Sequence, residues 1–252
     1  MALQGYVVVA PDYAGLGVGS SSSISSPFSE ELSKIIHPYL SSFSHANDLL
    51  YSIRAAQSAF PSLSRSFVTI GHSQGGAATW ALATLDNSST PLPGHARPTS
   101  PSSPPPARSN SSPGPYLAYG IHASFPAATA PLSAFLTPAA QRRWDLFTAV
   151  GGSSSSVASA LFPSSARTPW LLASTATYPA ALSVASSSDY SLCELGAPLL
   201  VLQGLADPVV LPEYTQRSVH AACAAAAQKG SSGAAVEYVE FEGTTHMPVM
   251  AW

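Results

Sequence analysis

The chain has 252 residues, a length that suits one α/β domain with a sizeable core. Only 9% of them are charged, against about 25% in an average protein, and the formal net charge is −3, which argues against a general nucleic-acid binder. Hydrophobic residues make up 46%, yet no continuous apolar run approaches the roughly 18 residues of a transmembrane helix. Polarity is left to Ser, Thr, Pro and Gly. That suits an apolar or interfacial substrate, and a compositional bias of the source genome explains it equally well.

In chain order, Gly5–Ala10 (GYVVVA) is a β-branched run ended by Pro11-Asp12 and reads as a buried parallel strand. Met1–Gln4 runs straight into it, so no signal peptide is expected in this chain. Tyr13–Gly19 is a glycine-bearing loop that Ser20–Ser26 extends. Leu49, Leu50, Ile53, Ala56 and Phe60 recur at helical spacing within Ser44–Phe60, and Pro61 closes that helix. Phe67–Ile70 is a short apolar run expected to be a buried strand. It runs into Gly71-His72-Ser73-Gln74-Gly75 and then the Ala-rich Ala77–Leu82, of high helix propensity. The pattern is βαβα.

From Thr90 to Pro115 the composition turns to Pro and Ser, and residues 90–115 read as a disordered surface insert. Tyr116–His122 resumes a strand. Residues 128–190 look helical with Gly/Ser breaks and form a cap inserted between two strands. Trp144, Phe147, Phe162 and Trp170 read there as cap core rather than as an acyl pocket. Residues 1–127 and 191–252 would then be two parts of one core. The second part holds a strand at Ala197–Gly204, a helix at Pro212–Lys229, a strand at Val236–Phe241 and a loop through His246. Cys193 and Cys223 flank Pro198–Gln203 and could meet as one disulfide. Asn87 and Asn110 begin glycosylation sequons of a kind that Ser-rich sequence produces easily.

Strand, Gly-x-Ser-x-Gly and helix together are the context of a nucleophile elbow. The turn is so tight that side chains at Gly71 and Gly75 would collide with their neighbours. Ser73 is then held clear of the sheet, with the Gln74 N–H at the helix start. A serine hydroxyl is a poor nucleophile at neutral pH and needs a base and an orienting acid. His72 adjoins the serine and points away at an elbow, while His37, His45, His95 and His122 precede the acid and His220 lies in a helix. His246 alone follows the last strand in a loop. Asp207 follows the strand after the cap; its bland alternative is a turn aspartate before Pro208, and Glu213 falls inside the next helix. No Cys/His cluster has metal spacing and no phosphate-cradling loop is complete, so neither metal nor cofactor is expected.

GYVVVAPDYAGLG at Gly5–Gly17, the helix ending Ile53-Arg54-Ala55-Ala56, GHSQGG at Gly71–Gly76, LQGLAD at Leu202–Asp207 and GTTH at Gly243–His246 together resemble the secretory lipase family. These are fungal and bacterial triacylglycerol lipases, the Candida lipase A-like branch of the α/β-hydrolase superfamily. The resemblance implies an α/β-hydrolase fold: a mostly parallel sheet flanked by helices, with an inserted helical cap. It implies cleavage of acylglycerols or other carboxylic esters, at a lipid interface, by Ser73, His246 and Asp207. The Gln74 and Asp12 N–H groups would form the oxyanion hole. Export and a Cys193–Cys223 disulfide are implied in the same way. Relative to the family the chain is expected to be truncated at both ends. It would lack early strands, one of them between Val7–Ala10 and Phe67–Ile70, and the helix that begins at Met247–Trp252. A serine peptidase of prolyl-oligopeptidase type shares the triad, and an inactive hydrolase-like fragment is the reading from a different class.

Overall fold

Helical spacing of apolar residues builds the first element, α1 (Ser42–Ala59), which turns Ala46 and Leu50 inward and ends before Pro61. The computed structural model describes residues 5–15, 37–38, 41–85, 94–99 (backbone only), 122, 131–134, 136–149, 160–163, 195–228 and 236–247. The remaining elements are β1 (Phe67–His72), α2 (Gln74–Thr84), β2 (Gly94–Thr99), α3 (Pro138–Ala149), β3 (Leu199–Gly204), α4 (Pro212–Gln228) and β4 (Val236–Phe241). They belong to two compact units: residues 1–11, 42–105 and 188–252 form the first, and residues 12–41 and 106–187 the second.

In the first unit the four strands form one parallel sheet in the order β1-β2-β3-β4. Phe67 to His72 stand opposite Gly94 to Thr99, and Leu199 to Gly204 stand opposite Val236 to Phe241. Because all strands run the same way, the turns after β1, β3 and β4 leave from one edge of the sheet. That carboxyl-terminal edge is where open α/β sheets place their sites.

Helix α2 is the structural pivot. Every residue from Gly76 to Ala83 is buried, and its alanines let neighbouring elements approach closely. Trp80 and Ala83 pack with Leu199 and Val201 of β3 and with Val219 and Ala222 of α4, while Ala81 and Leu82 pack with Ala46 and Leu50 of α1. Burying that much apolar surface is worth about 1.5–3 kcal/mol for each large side chain. On β4, Tyr238 leans on the same core; burial, aided by the neighbouring Glu240 carboxylate, holds its phenol well above the usual tyrosine range. Successive β1 side chains alternate across the sheet, so Thr69 is buried while Val68 and Ile70 are 43% and 38% exposed.

The second unit has its own apolar cluster. On α3, Trp144 meets Phe147 and Phe162 at ring-centroid distances of 5.1 and 6.2 Å, with Leu136 and Ala140 buried as well. Arg143 donates to the Leu161 carbonyl at 2.8 Å. These aromatics are packed on one another; Trp170 lies outside the described residues.

Four expectations are corrected or left open. Gly5–Ala10 forms no strand, and Tyr6, Val7 and Val8 are largely exposed. A groove of about 520 Å³, lined by Tyr6, Val7, Val9, Ile53, Val68 and Ile70 among others, separates this segment from β1. β-branched residues favour an extended backbone, but a strand exists only when a neighbour pairs its N–H and C=O groups. Within the stretch read as a disordered insert, Gly94–Thr99 is instead the strand between β1 and β3. Composition reports the average cost of ordering a segment, whereas two flanking strands supply this one with ladder partners. Of Tyr116–His122, expected as a strand, only His122 is described, and its backbone is helical. Cys223, one half of the expected Cys193–Cys223 bridge, is an exposed free thiol on α4. Cys193 and Pro248–Trp252 lie outside the described residues.

Candidate active site

Ser73 sits between β1 and α2 with φ 55° and ψ −118°. Among the described residues it is the one non-glycine residue with positive φ. Such backbone costs about 1–3 kcal/mol and survives only where the surroundings enforce it. Gly71 is part of that enforcement: a Cβ there would lie 2.0 Å from the Gly75 carbonyl oxygen and 2.6 Å from the Gly76 nitrogen. Only a hydrogen fits, which is why the strand can turn into a helix within three residues. Ser73 makes no capping bond with its hydroxyl, and the side chain is half-buried rather than sealed. Gln74 opens α2, where the helix dipole favours negative charge, and its side chain lies 3.3–3.4 Å from the ring nitrogens of the fully buried His45.

Asp207 and His246 come together from the turns after β3 and β4. His246 Nδ1 is 2.8 Å from Asp207 Oδ2, and their side chains are 15% and 1% exposed. A buried carboxylate needs donors, and Asp207 has three. Its other oxygen, Oδ1, accepts the Val209 and Val210 N–H groups at 2.8 and 2.9 Å. A carboxylate accepts, so His246 donates through Nδ1 and its Nε2 is left as the basic nitrogen.

The two turns are laced together by main-chain bonds. Leu205 donates to the Phe241 carbonyl and Ala206 to the Thr244 carbonyl, each at 3.0 Å. Gly204 permits that approach, since a Cβ on it would stand 2.3 Å from the Thr244 oxygen. Gly243, with φ +67°, turns the chain towards His246. Beneath Asp207, the buried Gln203 amide donates to the Gly204 and Val210 carbonyls and accepts from Thr215 Oγ1 at 2.7 Å.

The elbow meets this pair through His72. Its Nε2 lies 2.8 Å from the His246 carbonyl oxygen, and the two rings are 4.5 Å apart. The Ser73 hydroxyl is not itself hydrogen-bonded to the His246 ring among the described residues. Asp12 belongs to the second unit. The sequence reading set His72 aside as a base and gave Gly204 no role of its own; both lie inside quoted motifs, and only their contacts reveal what they do. Among the described residues no group of three His, Cys, Asp or Glu side chains is arranged to hold a metal ion.

A parallel sheet with a strained serine turn, a buried Asp–His pair at the same edge and a helix opening directly after the serine defines a hydrolase-type α/β domain. The chain belongs to the alpha/beta hydrolase family, whose model matches residues 2–252. Solved structures share the fold at low identity. A Legionella pneumophila protein is 17% identical with a TM-score of 0.62, over 98% of this chain and 67% of its own. Candida antarctica lipase A is 17% identical with a TM-score of 0.57, over 83% and 51%. The rice cell wall degrading esterase LipA from Xanthomonas oryzae is 17% identical with a TM-score of 0.58, over 82% and 60%. The chain thus spans 51% to 67% of the length of these structures. Curated protein sequences include no match.

Proposed function

We propose that this chain is a serine carboxylic-ester hydrolase of the lipase/esterase type. The observation that carries the reading is the Asp207–His246 pair at 2.8 Å, joined through His72 to the strained turn that bears Ser73. Ser73 Oγ attacks the ester carbonyl while His246 Nε2 takes its proton. The imidazolium is stabilised by Asp207, and the proton then passes to the leaving alcohol. The oxyanion forms beside the Gln74 N–H at the start of α2, where a donor and the helix dipole act in the same direction. Asp12 is assigned the second oxyanion N–H on the motif resemblance alone. Water deacylates Ser73 by the reverse of the same proton transfers.

Triacylglycerols or related esters at a lipid interface are the substrates assigned, and the secretory lipase branch with export from the cell is the finer placement. Motif resemblance, the low charge content and the likeness to a lipase and an esterase support this. The deciding experiment compares wild type with Ser73→Ala on a p-nitrophenyl ester. Loss of about 10³-fold or more in kcat is expected, and equal rates overturn the proposal. An aminoacyl amide assayed in parallel separates an esterase from a peptidase that uses the same three residues.

A further inference from the structure

We infer that His72, the residue before the proposed nucleophile, is a positioning residue that ties the His246 loop to the nucleophile turn. The inference rests on the serine-hydrolase reading of the same site. Its starting point is a bond whose direction is unambiguous. A carbonyl oxygen only accepts, so the 2.8 Å contact with the His246 carbonyl requires a proton on His72 Nε2. That nitrogen is committed as a donor and is not available as a base. The tilted ring contact, 4.5 Å between centroids, holds the two imidazoles in a fixed mutual orientation.

What this bond does follows from the other ties of the loop. Main-chain bonds secure it to the Asp207 turn as far as Thr244, and the Asp207 carboxylate secures the far end of the His246 ring. All of those anchors lie on the β3–β4 side. Catalysis, however, depends on where His246 Nε2 stands relative to Ser73, which hangs from β1. Between these two parts of the sheet, His72 makes a direct hydrogen bond. It is carried by the residue adjacent to Ser73 and received by the main chain of the base itself. A displacement of about 1 Å between reacting groups costs on the order of 100-fold in rate, so a bond spanning this gap acts on turnover before it acts on binding.

The test uses the full chain and compares wild type, Ser73→Ala, His72→Phe and His72→Gln. Phenylalanine keeps the ring volume but has no N–H, whereas the glutamine amide places an N–H near the position of Nε2. With a p-nitrophenyl ester, His72→Phe is expected to lower kcat about ten- to a hundred-fold with KM nearly unchanged, and His72→Gln to restore most of that loss. The low-field proton resonance of the His246 Nδ1–H should shift or broaden in His72→Phe and return in His72→Gln. If His72→Phe turns over like wild type while Ser73→Ala is inactive, the inference fails and the serine-hydrolase reading stands. If both His72 variants lose activity and melting temperature equally, His72 is merely structural and the inference again fails. If Ser73→Ala matches wild type, the reading of the site fails, and the inference falls with it.

Discussion

The Asp207 carboxylate meets the His246 imidazole at 2.8 Å although the two residues are 39 positions apart in the chain. Nothing in either segment alone brings them together. The parallel register of β3 and β4 does so, by releasing both turns at one edge of the sheet. Asp207→Asn keeps the shape of this contact but turns an acceptor-only group into one that also donates, which favours the wrong tautomer of His246. A fall in kcat of about 10³- to 10⁴-fold is expected, with the thermal melt close to wild type; initial ester-hydrolysis rates check it.

Gly204 and Gly243 stand in adjoining turns and should respond differently to alanine. At Gly204 the new methyl would lie 2.3 Å from the Thr244 oxygen, so the His246 loop must move. A loss of about 100-fold in kcat is expected. At Gly243 nothing lies within 4 Å, and only the positive φ is penalised, by about 1–2 kcal/mol. Activity and denaturant midpoints measured on both variants separate the two effects.

Gly71→Ala tests the elbow itself. The added methyl would strike backbone atoms that cannot rotate away, at 2.0 and 2.2 Å. A destabilisation of about 3 kcal/mol or a failure to fold is expected, read from soluble yield and urea unfolding.

Gln203 is fully buried and joins the Asp207 turn to α4 through Thr215. Gln203→Leu leaves the Thr215 hydroxyl without its acceptor and should cost about 2–3 kcal/mol. Adding Thr215→Val removes that stranded hydroxyl. The double variant should therefore be more stable than the sum of the single losses, by about 1 kcal/mol in a double-mutant cycle.

Thr69 offers the opposite sign. Its buried hydroxyl has no hydrogen-bond partner in β1, so the isosteric Thr69→Val removes a desolvation cost. A gain of about 1 kcal/mol is expected, equivalent to roughly 2–4 °C in Tm by calorimetry.

Local chemistry made much of this protein legible from the sequence. The spacing of Leu49, Leu50 and Ile53 marks α1, and the alanines after Gly76 mark α2. Val236–Phe241 has the same limits in the sequence reading and in the structure. Ser73, Asp207 and His246 were picked out because strand-to-turn boundaries leave strong local signals. Segments whose state depends on a neighbour were not legible. Gly5–Ala10 has a strand's side chains without a strand's pairing, and Gly94–Thr99 has the reverse. Cys223 could be counted, but not oriented, until α4 turned Ala222 to the core.

By itself, then, the sequence determined which residues are proposed to carry the chemistry and which turns need glycine, because both depend on atoms within a few positions of each other. Tertiary structure decided the hydrogen bond that orients His246, the donors that keep Asp207 in place, and the contact by which His72 reaches across the sheet. Those are distances between strands far apart in the chain. Only the parallel register that aligns their carboxyl ends sets them.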